Sequence, residues 1–123
     1  WVEEIVASVC KPYGARYHLN YERGVPSVHN DPRLTQLIEH SAQAALGPER
    51  VLSLPEPSLG AEDFALFLEH APGSMFRLGV GRPGQTNHPL HHPQFEADEA
   101  AIVTGVVTMA YSAYQYWQQV VEA

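Results

Sequence analysis

Residues 98–121 read DEAAIVTGVVTMAYSAYQYWQQVV, and this stretch decides the fold. Asp98 is a favourable N-cap, and apolar residues then recur at helical spacing. Threonine, serine and glutamine interrupt the run, so it falls short of the roughly 20 apolar residues of a membrane span. We predict a long helix that packs one side on a β-sheet. The apolar positions that mark it are Ile102, Val106, Met109, Ala110, Ala113, Trp117 and Val120.

Apolar residues at helical spacing indicate three further helices upstream. Asp31 and Pro32 form an N-cap and first-turn pair, and Gly47 with Pro48 ends the helix that they begin. Proline and glycine also follow the other two patterns. The predicted helices cover residues 2–9, 32–46 and 64–71. The face of the middle one carries Leu34, Leu37, Ile38, Ala42 and Ala45.

Three short segments between the helices are typical of strands. Residues 15–21 alternate between apolar and polar side chains, which indicates a strand with one wet face. Residues 75–80 (Met-Phe-Arg-Leu-Gly-Val) are the most strand-like run, and residues 50–54 are a shorter apolar candidate. Helices that alternate with short strands favour an α/β layered architecture over a bundle or a sandwich.

Charge and cysteine content exclude some classes of partner. Seven basic and fourteen acidic residues give a formal net charge of -7, and Lys11 is the only lysine. Such a chain would be repelled by a nucleic-acid backbone or an anionic membrane surface, so we expect neither partner. The single cysteine, Cys10, has no second thiol to pair with, which indicates core packing and a reducing, cytoplasmic location.

Residues 81–93, here called the histidine loop, are the first candidate for chemistry. They carry His88, His91 and His92 beside Pro89 and Pro93. Neutral imidazole is the commonest metal ligand near pH 7, and prolines stiffen the backbone that must orient it. No HExxH or CxxC pattern accompanies the loop, so a polar surface loop that is merely rich in histidine explains the spacing equally well.

Three motifs that follow one another along the chain resemble the C-terminal part of the metal-dependent amidohydrolase and carboxypeptidase family. They are residues 58–64 (Ser-Leu-Gly-Ala-Glu-Asp-Phe), 76–81 (Phe-Arg-Leu-Gly-Val-Gly) and 89–99 (Pro-Leu-His-His-Pro-Gln-Phe-Glu-Ala-Asp-Glu). The family includes hippurate hydrolases, N-acyl-amino-acid amidohydrolases and indole-acetyl-amino-acid hydrolases. Residues 21–26 and 30–32 are similar to the return from the family's inserted lid domain to its catalytic body.

The resemblance implies an enzyme with a two-metal site in an α/β catalytic domain and a smaller inserted lid. Residues 1–28 would end the lid, which is also a dimerisation domain, and residues 29–123 would be the C-terminal part of the catalytic domain. His91, the first histidine of Leu-His-His-Pro, would be a metal ligand, while His92 is its neighbour and His88 has no inherited role. The ions would be zinc, manganese, cobalt or nickel. The substrate would be a small N-acyl amino acid or a peptide-like amide, and a homodimer through the lid is possible.

The family's other ligands come from a His-x-Cys-Gly-His segment, a glutamate pair that includes the general base, and a later histidine. The resemblance assigns none of these ligands to the 123 residues, and Trp1 opens inside a helical pattern. We therefore expect a piece of a longer protein that is inactive alone. A non-catalytic binding or dimerisation module with a surface histidine loop is the alternative.

A ligand histidine usually donates its second ring N–H to a carboxylate or carbonyl. Five acids nearby in sequence are candidates, although helix capping is an equally ordinary role for several of them. Arg77 could bind a substrate carboxylate or form a structural ion pair, and Asn30 could face the cleft or form a turn. The five acids are Glu62, Asp63, Glu96, Asp98 and Glu99.

Overall fold

A computed structural model describes residues 1–121, and the regular structure of these residues is helical. The four predicted helices are confirmed, although the third ends earlier than its predicted end at residue 71. Short 3-10 turns follow the first helix at Lys11–Tyr13 and the second at Pro48–Arg50. The helices are α1 (Val2–Cys10), α2 (Pro32–Leu46), α3 (Phe64–Leu68) and α4 (Ala100–Val121).

The N-terminus of α2 forms as predicted. One carboxylate oxygen of Asp31 accepts from the backbone N–H groups of Arg33 at 2.9 Å and Leu34 at 3.0 Å. Pro32 occupies the first turn, where its missing N–H would have no helical partner. Because two otherwise unpaired donors are satisfied, the cap fixes the first residue of α2.

Helices α2 and α4 pack on each other and form the main contact of the described chain. Ala42 of α2 is 7% exposed, and Thr108 and Ser112 of α4 are 3% and 8% exposed. Small side chains at these positions let the two backbones approach closely. Gly105 of α4 faces the segment before the histidine loop, since a Cβ there would lie 3.0 Å from the Leu78 side chain.

The side of α4 that packs on α2 is not the side that the sequence predicts to pack on a sheet, and the described residues contain no sheet that could test that prediction. Val106 and Trp117 remain 61% and 63% exposed, whereas the threonine and serine are buried. A helix that is apolar nearly all round has two sides that can pack, and only one of them meets α2. We call the opposite side the outer face. It carries Ile102, Val103, Val106, Ala110, Ala113, Tyr114, Trp117 and Val121.

The predicted strands are not formed by the part of the chain that the structure describes. Residues 15–21 and 75–80 are irregular, and residues 50–54 begin in a 3-10 turn and continue irregularly. A strand needs a neighbour for its backbone N–H and C=O groups, and residues 1–121 offer these segments no ladder partner. The α/β architecture is thus not confirmed.

Among residues 1–121, no helix combines the length and apolar character needed to cross a bilayer.

Candidate metal centre

The histidine loop turns sharply at His91. The His92 N–H donates to the Pro89 carbonyl oxygen at 3.0 Å, so Leu90 and His91 form the centre of a four-residue turn. His91 has a φ of 70°, the only positive φ of a residue other than glycine among residues 1–121. Glycine or asparagine usually occupies such a position, and another residue costs on the order of 1–3 kcal/mol there.

The turn separates His91 from the other two histidines. The rings of His88 and His92 stack with centroids 4.2 Å apart and planes 6° from parallel. The His92 Nδ1 accepts from the Gln94 backbone N–H at 3.1 Å. His91 is exposed at the tip of the turn, and its ring makes no hydrogen bond within residues 1–121. Its ring nitrogens are therefore free to bind an ion.

Hydrogen bonds close the base of the loop. The Asp98 N–H donates to the Val80 carbonyl oxygen at 2.8 Å, and so joins the segment before the loop to the residue that starts α4. Closer to the histidines, the Asn87 side chain bonds to the backbone of Arg82. The Arg82 guanidinium also pairs with Glu96 at 3.3 Å across the loop. These contacts hold the loop on the α2–α4 scaffold.

A shallow polar pocket of about 250 Å³ lies beside this base. Its lining includes Arg82, Asn87, His88 and Glu96 but not His91. The pocket is therefore separate from the ring that the sequence predicts to bind metal, and Arg82 within it is already neutralised by Glu96.

Three of the five candidate acids have other partners. A carboxylate oxygen of Glu62 accepts from the Phe64 N–H at 3.1 Å, and one of Asp98 accepts from the Ala100 N–H at 3.1 Å. Glu62 and Asp98 therefore cap the starts of α3 and α4, which is the alternative role that the sequence suggests for acids of this kind. Glu96 pairs with Arg82. Asp63 precedes α3 without a side-chain cap bond. The structure brings none of these acids into a hydrogen bond with His91.

Two other candidates also acquire definite places. Asn30 has a role that neither predicted alternative described, since its side-chain amide bonds in both directions to the backbone of Met75, 45 residues along the chain. Arg77 is exposed, and its predicted structural ion pair is not formed within the described residues. Cys10 is half-buried at the end of α1.

The described residues provide one side chain that suits a metal ligand, that of His91. His91 offers an exposed imidazole without a competing partner, which suits a ligand. A catalytic zinc takes three protein ligands. Residues 1–121 contain no group of three or more histidine, cysteine or acidic side chains placed to hold an ion. At least one ligand of such a site must therefore come from outside these residues.

Residues 2–115 match peptidase family M20/M25/M40. The chain belongs to this family. A probable hydrolase of Synechocystis is 64% identical over 121 residues, which are 98% of this chain and 31% of the relative. The putative amidohydrolase YhaA of Bacillus subtilis is 34% identical over 95% of this chain and 30% of its own length. The N-acetyl-L-cysteine deacetylase of the same organism is 32% identical over 80% of this chain and 22% of its own.

This M20/M25/M40 member thus spans about a third, or less, of the length of the curated relatives that it matches. No solved structure matches the chain. The three motifs that carry the resemblance all lie within the matched residues, and the predicted family is confirmed. The positive φ at His91 has no sequence signal, because the turn contains neither glycine nor asparagine.

Proposed function

We propose that this chain is the C-terminal part of a metal-dependent amidohydrolase that hydrolyses the amide bond of N-acyl amino acids or small peptide-like substrates. Membership of peptidase family M20/M25/M40 supports a hydrolase. The name of one relative, a putative amidohydrolase, supports amide hydrolysis, and that of another, an N-acetyl-L-cysteine deacetylase, supports an N-acyl substrate. The chain alone is inactive in this proposal, because it contains one proposed ligand and no assigned general base.

The observation that carries the proposal is the backbone of His91. A left-handed turn made by a histidine costs free energy, and such costs concentrate at functional sites. The turn also gives the ring an exposed position without a hydrogen-bond partner in the described chain. When bound, a divalent ion lowers the pKa of its water to about 7 and polarises the scissile carbonyl. The task of His91 is to hold one such ion, while proton transfer belongs to a group outside this chain.

The domain organisation is part of the same proposal. Residues 1–28 end a lid domain, through which two copies could dimerise, and residues 29–123 end the catalytic domain. In support, α1 contacts only the 3-10 turn that follows it among the helices of residues 1–121. The outer face of α4 would meet the sheet of an α/β domain, since about 25 cal/mol per Å² of apolar surface is gained on burial.

The test uses the longest natural protein that contains this chain. Its metal-free form is titrated with zinc, manganese, cobalt and nickel by calorimetry, and the loaded forms are assayed with N-acetyl and N-benzoyl amino acids. We expect stoichiometric metal binding, and hydrolysis that is lost on chelation and restored by metal. A protein with no stoichiometric site and no hydrolysis would instead be the binding or dimerisation module.

A further inference from the structure

The side chain of Asn87 is fixed by three hydrogen bonds. Its Oδ1 accepts from the Arg82 N–H at 2.8 Å, and its Nδ2 donates to the carbonyl oxygens of Arg82 at 3.0 Å and Gln85 at 3.2 Å. The amide thus pairs with both backbone groups of Arg82, as a neighbouring strand would. Residues 82–87 are thereby closed into a small ring at the base of the histidine loop.

Gly81 leaves the space that this amide occupies. A Cβ at Gly81 would lie 2.9 Å from the Asn87 Cγ and 3.1 Å from both Nδ2 and Oδ1. The φ of Gly81 is outside the left-handed region, so alanine would be free of backbone strain there. The limit at this position is therefore steric. Alanine at residue 81 would therefore require the bonded amide of residue 87 to shift.

The position of Asn87 connects this ring to the turn that presents His91. Two residues later, the Pro89 carbonyl accepts the bond that closes the turn. On the other side, the Phe95 N–H donates to the His92 carbonyl oxygen at 2.9 Å. The backbone of residues 87–95 therefore passes through successive fixed points, and the first of them is the Asn87 side chain.

We propose that Asn87 is a positioning residue for metal binding: its amide, seated against Gly81, fixes the backbone that presents His91. The proposal rests on the proposed function, because His91 must be a ligand for its position to matter. Groups that hydrogen-bond directly to a metal ligand typically contribute 10–100-fold to metal affinity, and Asn87 acts one step further from the ligand. Since Asn87 never touches the ion, its effect passes through the loop backbone.

The experiment is a double-mutant cycle on the longest natural protein that contains this chain. Zinc and manganese affinities are measured by calorimetry for the wild type, Gly81→Ala, Asn87→Ala and the double variant. We expect each single substitution to raise the dissociation constant about tenfold, the lower end of the range for groups bonded directly to a ligand. The double variant should bind no more weakly than Asn87→Ala, because Gly81→Ala acts only by displacing that amide. Gln85→Ala, in the same loop, removes a side chain without a hydrogen bond in the described chain and should change nothing.

A general loss of structure would give a different pattern. The metal-free variants should keep the wild-type circular dichroism and a cooperative melting transition, and Asn87→Asp, which retains the acceptor but lacks the N–H donors, should bind metal as weakly as Asn87→Ala. Unchanged affinity in Asn87→Ala, or additive losses in the double variant, would overturn the proposal. A His91→Ala protein that keeps full metal content would overturn the proposed function instead, so the two failures are distinguishable.

Discussion

The side-chain amide of Asn30 pairs with both backbone polar groups of Met75. Its Nδ2 donates to the Met75 carbonyl oxygen at 2.8 Å, and its Oδ1 accepts from the Met75 N–H at 2.9 Å. The adjacent Asp31 N–H donates to the Gly73 carbonyl oxygen at 2.8 Å. The residues that begin α2 therefore also hold the segment that leads into the histidine loop. Asn87 makes the same kind of contact with Arg82, at the far end of that segment.

Replacement of Asn30 by alanine should release Met75. Two hydrogen bonds are lost, each of which contributes on the order of 0.5–1.5 kcal/mol. We expect the Met75 amide to exchange with deuterium about 5–30-fold faster, measured by mass spectrometry or NMR. Asn20→Ala is the control, because Asn20 is exposed and forms no side-chain bond in the described chain. Unchanged exchange at Met75 in Asn30→Ala would show that the contact does not hold the segment.

Replacement of Ser112 by alanine should stabilise the protein. The Ser112 hydroxyl is buried between α2 and α4 and has no hydrogen-bond partner within residues 1–121. An unsatisfied buried hydroxyl costs on the order of 1–3 kcal/mol, and alanine is also the better helix former. We expect the free energy of unfolding in urea to rise by about 1 kcal/mol.

Thr108 provides the matched comparison on the same side of α4. Its hydroxyl donates to the Thr104 carbonyl oxygen at 2.8 Å, so Thr108→Val removes a satisfied group. This substitution should lower the free energy of unfolding by about 0.5–1.5 kcal/mol, because a satisfied hydrogen bond is lost. A loss of stability in Ser112→Ala would mean that the hydroxyl has a partner that the described residues do not contain.

The outer face of α4 should be intolerant of charge in the longest natural protein. Val106 lies at its centre and is 61% exposed in this chain, although its neighbours on that face are apolar. If the rest of a catalytic domain covers it, Val106→Asp places an unpaired charge in an apolar contact and lowers the melting temperature by 10 °C or more, an order-of-magnitude expectation for several kcal/mol. Gln119→Asp controls for aspartate in the same helix, because Gln119 is already polar and exposed. Equal effects of the two substitutions would argue against a covered outer face.

The strain at His91 has its own stability test. At a φ of 70°, glycine is unstrained and alanine is not, so His91→Gly should be about 1 kcal/mol more stable than His91→Ala in urea unfolding. The same pair of substitutions at Gln94, where φ is not positive, should show the reverse order. If alanine is the more stable replacement at both positions, His91 is not held in the left-handed conformation.

Local features of the fold could be predicted from the sequence because short-range chemistry determines them. The Asp31 cap, the start of α4 near Asp98 and the stop at Gly47 each depend on residues within a few positions. The side of α4 that meets α2 could not be predicted, because hydrophobicity favours the outer face while close helix approach needs the small residues Thr108 and Ser112. The composition of residues 75–80 predicts a strand. This strand is not formed in the described chain, because a strand requires a partner that residues 1–121 do not provide.

The candidate site was predictable only in part. The Leu-His-His-Pro motif singled out His91, whereas neither its positive φ nor the stacked rings of His88 and His92 have a sequence signal. The backbone contacts of Asn30 and Asn87 join residues 45 and 5 positions apart, respectively. Asparagine in a loop indicates turn formation in general but does not identify the partner.

Metal content of His91→Ala tests the central claim most directly. The longest natural protein that contains this chain is purified as the wild type, His91→Ala and His88→Ala, and bound zinc and manganese are measured by mass spectrometry after dialysis. We expect His91→Ala to lose most of the metal and the hydrolytic activity. His88→Ala should keep both near the wild-type level, because the turn is closed by the bond between His92 and Pro89 and not by the His88 ring. Full metal occupancy in His91→Ala would contradict the account.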